Sequence, residues 1–311
     1  MKTTLNTQLN QVDICFVIDT TGSMSSFIQA AKQHLLNMIS TLGAINGLDW
    51  QVGLVEYRDH PPQDRSFVVK TYALTKDLAK MQKSIQALKA DGGGDQAEAV
   101  YDGLAAACQQ MSWRDHSCRF AILVGDAPPH GFQLEEINEL NVINKVKNVG
   151  DSWPELCPCG LTGRSVAALA EEKRVTLYAI SMTNCKFTLG AFKEVANGTG
   201  GHCSQSSKID EVLKEINSVL DSEFQNILFD KLVLEQVDKT KEINVQEIAD
   251  SLASPRLQVV SAIGRLGRRG FLDKYAVKKD KKPTEKELFV DHKEPVFLLT
   301  SLVNSFFNWS K

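Results

Sequence analysis

With 311 residues, 43% of them hydrophobic and 23% charged, and a net charge of −3, the chain is large enough for two hydrophobic cores and has the composition of a globular protein. No apolar run approaches a bilayer span, and the first thirteen residues, "MKTTLNTQLNQVD", carry no apolar signal core, so the expectation is a cytoplasmic protein without a membrane segment. Seven cysteines is an odd number, two of them sit in apolar runs ("ICF" and "AAC"), and reduced thiols are therefore expected over a disulfide framework.

The charge is unevenly spread. Residues 226–311 hold 15 Lys and Arg against 12 Asp and Glu, a balance of +3, while residues 1–225 hold 20 against 26, or −6. Two regions with different tasks are expected, at 10–225 and 226–311.

In chain order, the first region opens with the strand "ICFVI", which ends in the stretch "DTTGSM". A helix is expected over 25–42, then strands "WQVGLVEY" and "SFVVKTY", helices over 78–90 and 97–110, and the strand "FAILVG". Helices over 134–147, 163–173 and 189–197 follow, with strands "VTLYAIS" and "GHCSQS" among them. Strands apolar on both faces and separated by helices point to a doubly wound, mostly parallel α/β sheet. The exception is the connection "RDHPPQDR", too short for a helical crossover, which predicts one antiparallel edge strand.

In such a sheet, ligands gather where strands end and helices begin. Three acidic segments fall there: "DTTGSM", "DGGGDQAE" and "GDAPPH". Asp19, Thr21 and Ser23 put one anionic and two neutral oxygens on one tight loop, a donor set suited to a hard divalent cation. Asp19, Asp95, Glu98 and Asp126 at one edge would repel one another unless a cation sat among them. Gly92–Gly94 has neither the lysine nor the spacing of a phosphate loop and is expected as a flexible connection.

Asp19, Thr21 and Ser23 match the DxSxS pattern, threonine being allowed in the middle, of the von Willebrand factor A domain, and the resemblance extends over about residues 10–225. It implies a metal-ion-dependent adhesion site with Mg2+, or Mn2+ or Ca2+, bound through the hydroxyls of Thr21 and Ser23 and through Asp19 and Asp126, mainly by way of water. It also implies a sixth position open to a partner's acid. The second loop, "GGGDQAEAVYDGL", resembles that of integrin β subunits, which makes Glu98 the expected further ligand, although Ala97 stands where that family has proline. By the same resemblance, "GLVEYRDHP" implies a second ion held by Asp59, Asp95 and Glu98, with Gly93 departing from the family's asparagine. "GDAPPHG" with "GGGD" looks closer still to intracellular A domains such as those of alpha-kinases, but no kinase domain is visible.

A haloacid-dehalogenase-like phosphohydrolase would also use Mg2+ at this edge, but the position of its general acid is Thr21. His60 and His130 are expected as solvated loop residues. "CPCG" brings Cys157 and Cys159 near the helix that follows, and with Cys185 and either His130 or another ligand they form a candidate zinc set, against a default of unpaired thiols.

The tail reads as a helix, a short "INV" segment, helices over 245–252 and 256–268, and a hairpin from "YAVKK" and "KELFV". Pro255 is expected in the first helical position after a Ser254 cap. The pattern resembles a small α+β winged helix-turn-helix domain of bacterial type. That resemblance implies contacts to nucleic acid or to a protein from Arg256, Gln258 and Ser261 of the third helix and from Lys278, Lys279, Lys281 and Lys282 of the wing. Arg265, Arg268 and Arg269 read as complements to the carbonyl end of their helix. The last apolar stretch, "EPVFLLTSLVNSFFNW", is expected to pack on the tail or on a second copy.

The reading is a bacterial, non-enzymatic adaptor in which an A-type metal site captures an acidic residue of a partner inside a larger, ATPase-containing assembly. A DNA-binding regulator is the alternative.

Overall fold

The computed structural model describes residues 8–44, 47–137 and 143–277. Strand β1 (Gln11–Asp19) leads through a single 3-10 turn into α1 (Ser25–Ala44), followed by β2 (Asp49–Tyr57) and β3 (Val69–Thr75). Then come α2 (Leu78–Ala87), α3 (Val100–Gln110), β4 (Cys118–Gly125) and the pair β5 (Gln133–Ile137) and β6 (Ile143–Lys147). Helix α4 (Gly163–Glu172), β7 (Thr176–Ser181), α5 (Lys186–Asn197), β8 (Cys203–Gln205) and α6 (Ile209–Thr240) complete this part.

The sheet order is β3-β2-β1-β4-β7-β8, parallel except for the antiparallel edge strand β3. This is the doubly wound α/β fold, with the expected edge hairpin. In β1 eight of nine residues are buried, and the two faces follow the period of two. Cys15 and Val17, with Val55, Ala121, Leu123, Leu177 and Ala179, pack against Leu104 of α3, Val166 of α4 and Phe192 of α5. Intervening residues such as Tyr178 face the other way, where its hydroxyl donates to Glu223 of α6.

Caps set several helix starts. Asp77 accepts from the backbone N–H of Lys80 ahead of α2, and Thr162 with Ser165 forms a reciprocal capping box on α4. At the amino-terminal edge of the sheet, fully buried Asp13 accepts from the Arg114 backbone N–H at 2.8 Å, its guanidinium at 2.6 Å and the Ser117 hydroxyl at 2.7 Å, so that acid is structural.

One expected helix is instead a hairpin. Residues 134–147 place apolar side chains at helical spacing, yet β5 and β6 pair Leu134 with Val146, Glu135 with Lys145 and Ile137 with Ile143. Apolar meets apolar and acid meets base across the strands, and the β-branched residues favour that arrangement over a helix.

The chain divides into two compact units, 1–224 and 225–311. In the second, the end of α6 is followed by β9 (Glu242–Ile243), α7 (Val245–Leu252), α8 (Arg256–Arg268) and β10 (Ala276–Val277). Pro255 is the residue before α8, with ψ 137, and not its first helical residue, so no side chain caps this helix. The expected hairpin beyond Val277, Lys278, Lys279, Lys281 and Lys282 within it, and the last apolar stretch lie outside the described residues.

Candidate functional site

Three loops at the carboxyl edge of the sheet are sewn together by backbone hydrogen bonds. Gly22 N donates to Gly92 O at 3.1 Å and Asp91 N to Thr20 O at 3.0 Å, joining the first loop to the second. Glu98 N donates to Pro128 O at 2.9 Å, joining the second to the third. Segments far apart in sequence therefore converge.

The side chains follow. Asp19 is fully buried and its Oδ1 accepts from both the N–H and the hydroxyl of Thr21, at 2.8 and 2.6 Å. Thr21 Oγ1 lies 3.3 Å from Ser23 Oγ, which donates to Asp126 Oδ1 at 3.0 Å. Four of the five expected ligands thus form one continuous run of oxygens, buried at Asp19 and Thr21 and open to solvent at Ser23. Glu98 reaches the same place across Gly93. A Cβ added to Gly93 would stand 2.9 Å from Glu98 Oε1 and 3.3 Å from Thr21 Cβ, and its φ of +82 is itself a glycine conformation. Gly92 is equally tight, against Asp64. These glycines admit side chains more than they lend flexibility.

Two carboxylate oxygens here, Asp19 Oδ2 and Glu98 Oε2, are buried without a hydrogen-bond partner. Burial, then the charge of Asp126, pushes Asp19 up to about 7 against the bonds from Thr21. Burial and the carboxylates of Asp19, Asp59, Asp95 and Asp126 push Glu98 up to about 10. Orphaned acidic oxygens beside two hydroxyls form a donor set that a hard divalent cation satisfies, and the residues present fit one.

Asp59, Asp95 and His130 offer ligand atoms within 4.8 Å of one another, and Glu98 is not in that group. The expectation of solvated histidines is corrected. His130 is fully buried, with Nε2 2.6 Å from Asp59 Oδ1 and Nδ1 2.7 Å from Asp151 Oδ1. Burial alone would lower its pKa, but the bonds to Asp151 and Asp59 lift it to about 9, so an imidazolium stands between two carboxylates. Asp95 is tied into its loop, accepting from Ala97 N at 2.9 Å and Ser152 N at 2.7 Å. Sequence reasoning missed Asp151, which follows an unremarkable "NVG".

His60 is also buried, and its Nε2 lies 3.1 Å from Asp102 Oδ2. The candidate zinc set is corrected in one member, Cys185. The two close thiols meet His60 and Asp102, while Cys185 starts α5 outside that cluster.

In the second unit Arg256 and Ser261 are exposed and Gln258 is partly exposed, but Ser261 Oγ donates back to Leu257 O at 2.9 Å. Arg265 is not merely a helix-end charge, since it binds the buried Asp230 through Nε and Nη2 at 2.6–3.1 Å.

Residues 13–149 match a family model described as von Willebrand factor A domain. "Alpha-protein kinase vwkA" of Dictyostelium discoideum is 29% identical over 151 residues, 48% of this chain and 22% of that protein. "Putative ariadne-like RING finger protein R811" of Acanthamoeba polyphaga mimivirus is 28% identical over 149 residues, 47% of this chain and 14% of that protein. The chain therefore matches only a small part of either relative. Among solved structures, the pilus adhesin SpaC of Lactobacillus rhamnosus GG aligns with a TM-score of 0.52 at 16% identity, covering 70% of this chain and 30% of that one, a likeness of fold alone. The resemblance to a von Willebrand factor A domain is thus carried by residues 13–149, which lie within the first unit.

Proposed function

We propose that this protein is a metal-dependent protein-interaction module that captures an acidic side chain of a partner at the edge formed by β1 and β4. The observation that carries the reading is the run of oxygens from Asp19 through Thr21 and Ser23 to Asp126, with the orphaned oxygens of Asp19 and Glu98 beside it. Asp19, Thr21, Ser23, Glu98 and Asp126 would hold Mg2+, or Mn2+ or Ca2+ in its place. When bound, the cation supplies an acceptor for a carboxylate from outside the chain. Thr21 orients Asp19 through two hydrogen bonds, and exposed Ser23 leaves the outer side of the site open to a visiting group.

The reading is binding and not catalysis. Two positions after Asp19 the side chain is the threonine hydroxyl bonded to that acid, so the proton donor of a phosphohydrolase is missing from that place. The partner would be an acidic protein segment in a larger, ATPase-containing assembly in the cytoplasm. The second unit, read as a winged helix, supplies a second contact. Leu257 and Val260 of α8 are 77% and 49% exposed, which favours protein over phosphate as its partner. A nucleic-acid reader using Arg256 and the Lys278–Lys282 wing is the alternative.

The test is an affinity pulldown from host lysate with wild type and Ser23→Ala, each in Mg2+ and in EDTA, identifying bound protein and nucleic acid. A protein retained only by wild type in Mg2+ is expected. A catch indifferent to both chelation and mutation overturns the metal-dependent reading, and a catch of nucleic acid alone moves the function to the second unit.

A further inference from the structure

Beside the acidic site, three separate segments bring four metal-ligating atoms to one point. His60 lies just past β2, Asp102 in the first turn of α3, and Cys157 and Cys159 in the "CPCG" loop before α4. Cys157 Sγ is 2.9 Å from Cys159 Sγ, 3.3 Å from His60 Nε2 and 3.5 Å from Asp102 Oδ2. His60 Nε2 and Asp102 Oδ2 are 3.1 Å apart, and all four atoms lie within 4.8 Å of one another.

We propose that Cys157, Cys159, His60 and Asp102 form a structural Zn2+ site, distinct from the adhesion-type site, that fastens the long β4–α4 connection to α3 and to the segment leaving β2. A tetrahedral Zn2+ with thiolates at about 2.3 Å and nitrogen and oxygen ligands at about 2.1 Å spaces its ligand atoms roughly 3.3–3.8 Å apart. The observed separations approach that spacing and need only a small outward adjustment, mainly of the two sulfurs. Two sulfurs, one imidazole and one carboxylate are a borderline-soft set suited to zinc over Mg2+ or Ca2+, and four protein ligands close the shell as structural sites do. On binding, each thiol gives up its proton to solvent and the thiolate sulfur takes the metal in its place.

The loop supports thiolate ligands. Leu161 N donates to Cys159 Sγ at 3.4 Å, while Gly160, at φ +73, donates its N–H to Cys157 O at 2.8 Å and turns the chain back toward the sulfurs. Cys157 is 2% exposed although its neighbour Leu156 is 48% exposed, so the thiol is drawn in where the adjacent leucine is not. Between residues 126 and 162 the described residues hold no regular elements except β5 and β6, and a cross-link at the end of this stretch offsets the entropy of ordering it. The site also bears on its neighbour. Trp153, in the same connection, packs edge-on against His60 and His130 with ring centres 6.0 and 4.8 Å away, and Asp151 holds His130 against Asp59.

The experiment is metal analysis by inductively coupled plasma mass spectrometry on the full chain purified without chelator. Four proteins are compared: wild type, Cys157→Ser/Cys159→Ser, Cys185→Ser and Asp19→Ala/Ser23→Ala. Zinc near one per chain is expected in all but the first double variant, which should lose it at least tenfold, about the lower bound for losing a ligand's support. Retention in Asp19→Ala/Ser23→Ala separates this site from the adhesion-type one, whose failure would leave the zinc in place. A misfolded cysteine variant would also lose metal, so wild type is reconstituted with Co2+, where a thiolate-to-cobalt charge-transfer band that Zn2+ abolishes is expected. Zinc persisting in Cys157→Ser/Cys159→Ser overturns the proposal. So does a wild type that carries no zinc and shows no thiolate–cobalt band, whether its two cysteines titrate as free thiols or run as a disulfide in intact mass.

Discussion

Asp19 and Glu98 are acids held where their charges are disfavoured, which ties the stability of the fold to pH. A carboxyl raised from 3.8 to about 7, as Asp19 is by burial and then by Asp126, contributes folding stability that is fully present below its ordinary pKa and is lost as pH rises through about 7. Glu98, raised from 4.5 to about 10, extends that loss to higher pH. Metal-free protein should therefore melt at steadily lower temperature as pH is raised from about 5 to about 9, and Mg2+ should flatten the trend because the cation replaces the protons. Thermal melts in EDTA and in Mg2+ across that range decide it, and a metal-free profile that rises toward pH 9 would count against a buried acidic cluster. Gly93 gives a second expectation. Gly93→Ala combines left-handed backbone with a Cβ 2.9 Å from Glu98 Oε1, so it should destabilise by about 1–2 kcal/mol in urea melts and weaken Mg2+ binding by pushing Glu98 aside.

At the level of elements, the second unit offers opposing tests. Ala253 ends α7 at φ 47, a conformation glycine adopts without strain, so Ala253→Gly should stabilise that unit by up to about 1 kcal/mol, read as a raised urea midpoint. Asp230 is 1% exposed and holds Arg265 through both oxygens. Asp230→Ala strands the guanidinium and should destabilise by about 3–5 kcal/mol, whereas an effect below about 1 kcal/mol would show that the pair is solvated in practice. Arg265 is thereby occupied inside the unit. The β5–β6 hairpin shows why its sequence misled. Leu134 and Ile137 stand three apart, a helical and not a strand spacing, and only the partner strand, with Val146 opposite Leu134 and Lys145 opposite Glu135, reveals the pairing.

For the whole molecule, ligand linkage gives the simplest readout. Mg2+ at about 100 times its dissociation constant should add about 2.7 kcal/mol to the stability of the unit that binds it, and Asp19→Ala should abolish the increment. The charge split, −6 before residue 226 and +3 after it, makes a further demand on the alternative reading. Duplex binding by the second unit would have to weaken steeply with salt and be indifferent to EDTA, whereas capture of an acidic protein would respond to chelation first. Among the described residues no helix is long and apolar enough to cross a membrane.

The sequence alone determined the sheet, its antiparallel edge and the convergence of three acidic loops, because the alternation of apolar strands with helices and the position of Asp19 at a strand end are local patterns. The DxTxS spacing likewise made Asp19, Thr21 and Ser23 legible as one cluster. Tertiary structure alone decided what neighbours the rest. That His130 lies buried between Asp59 and Asp151, and that Cys157 and Cys159 face His60 and Asp102 and not Cys185, depends on how loops fold over one another. Such contacts join residues far apart in the chain, and a single sequence carries no period or spacing that reports them. The glycines of the second loop make the same point: composition suggests freedom, while their surroundings show that a Cβ would strike Asp64 or Glu98.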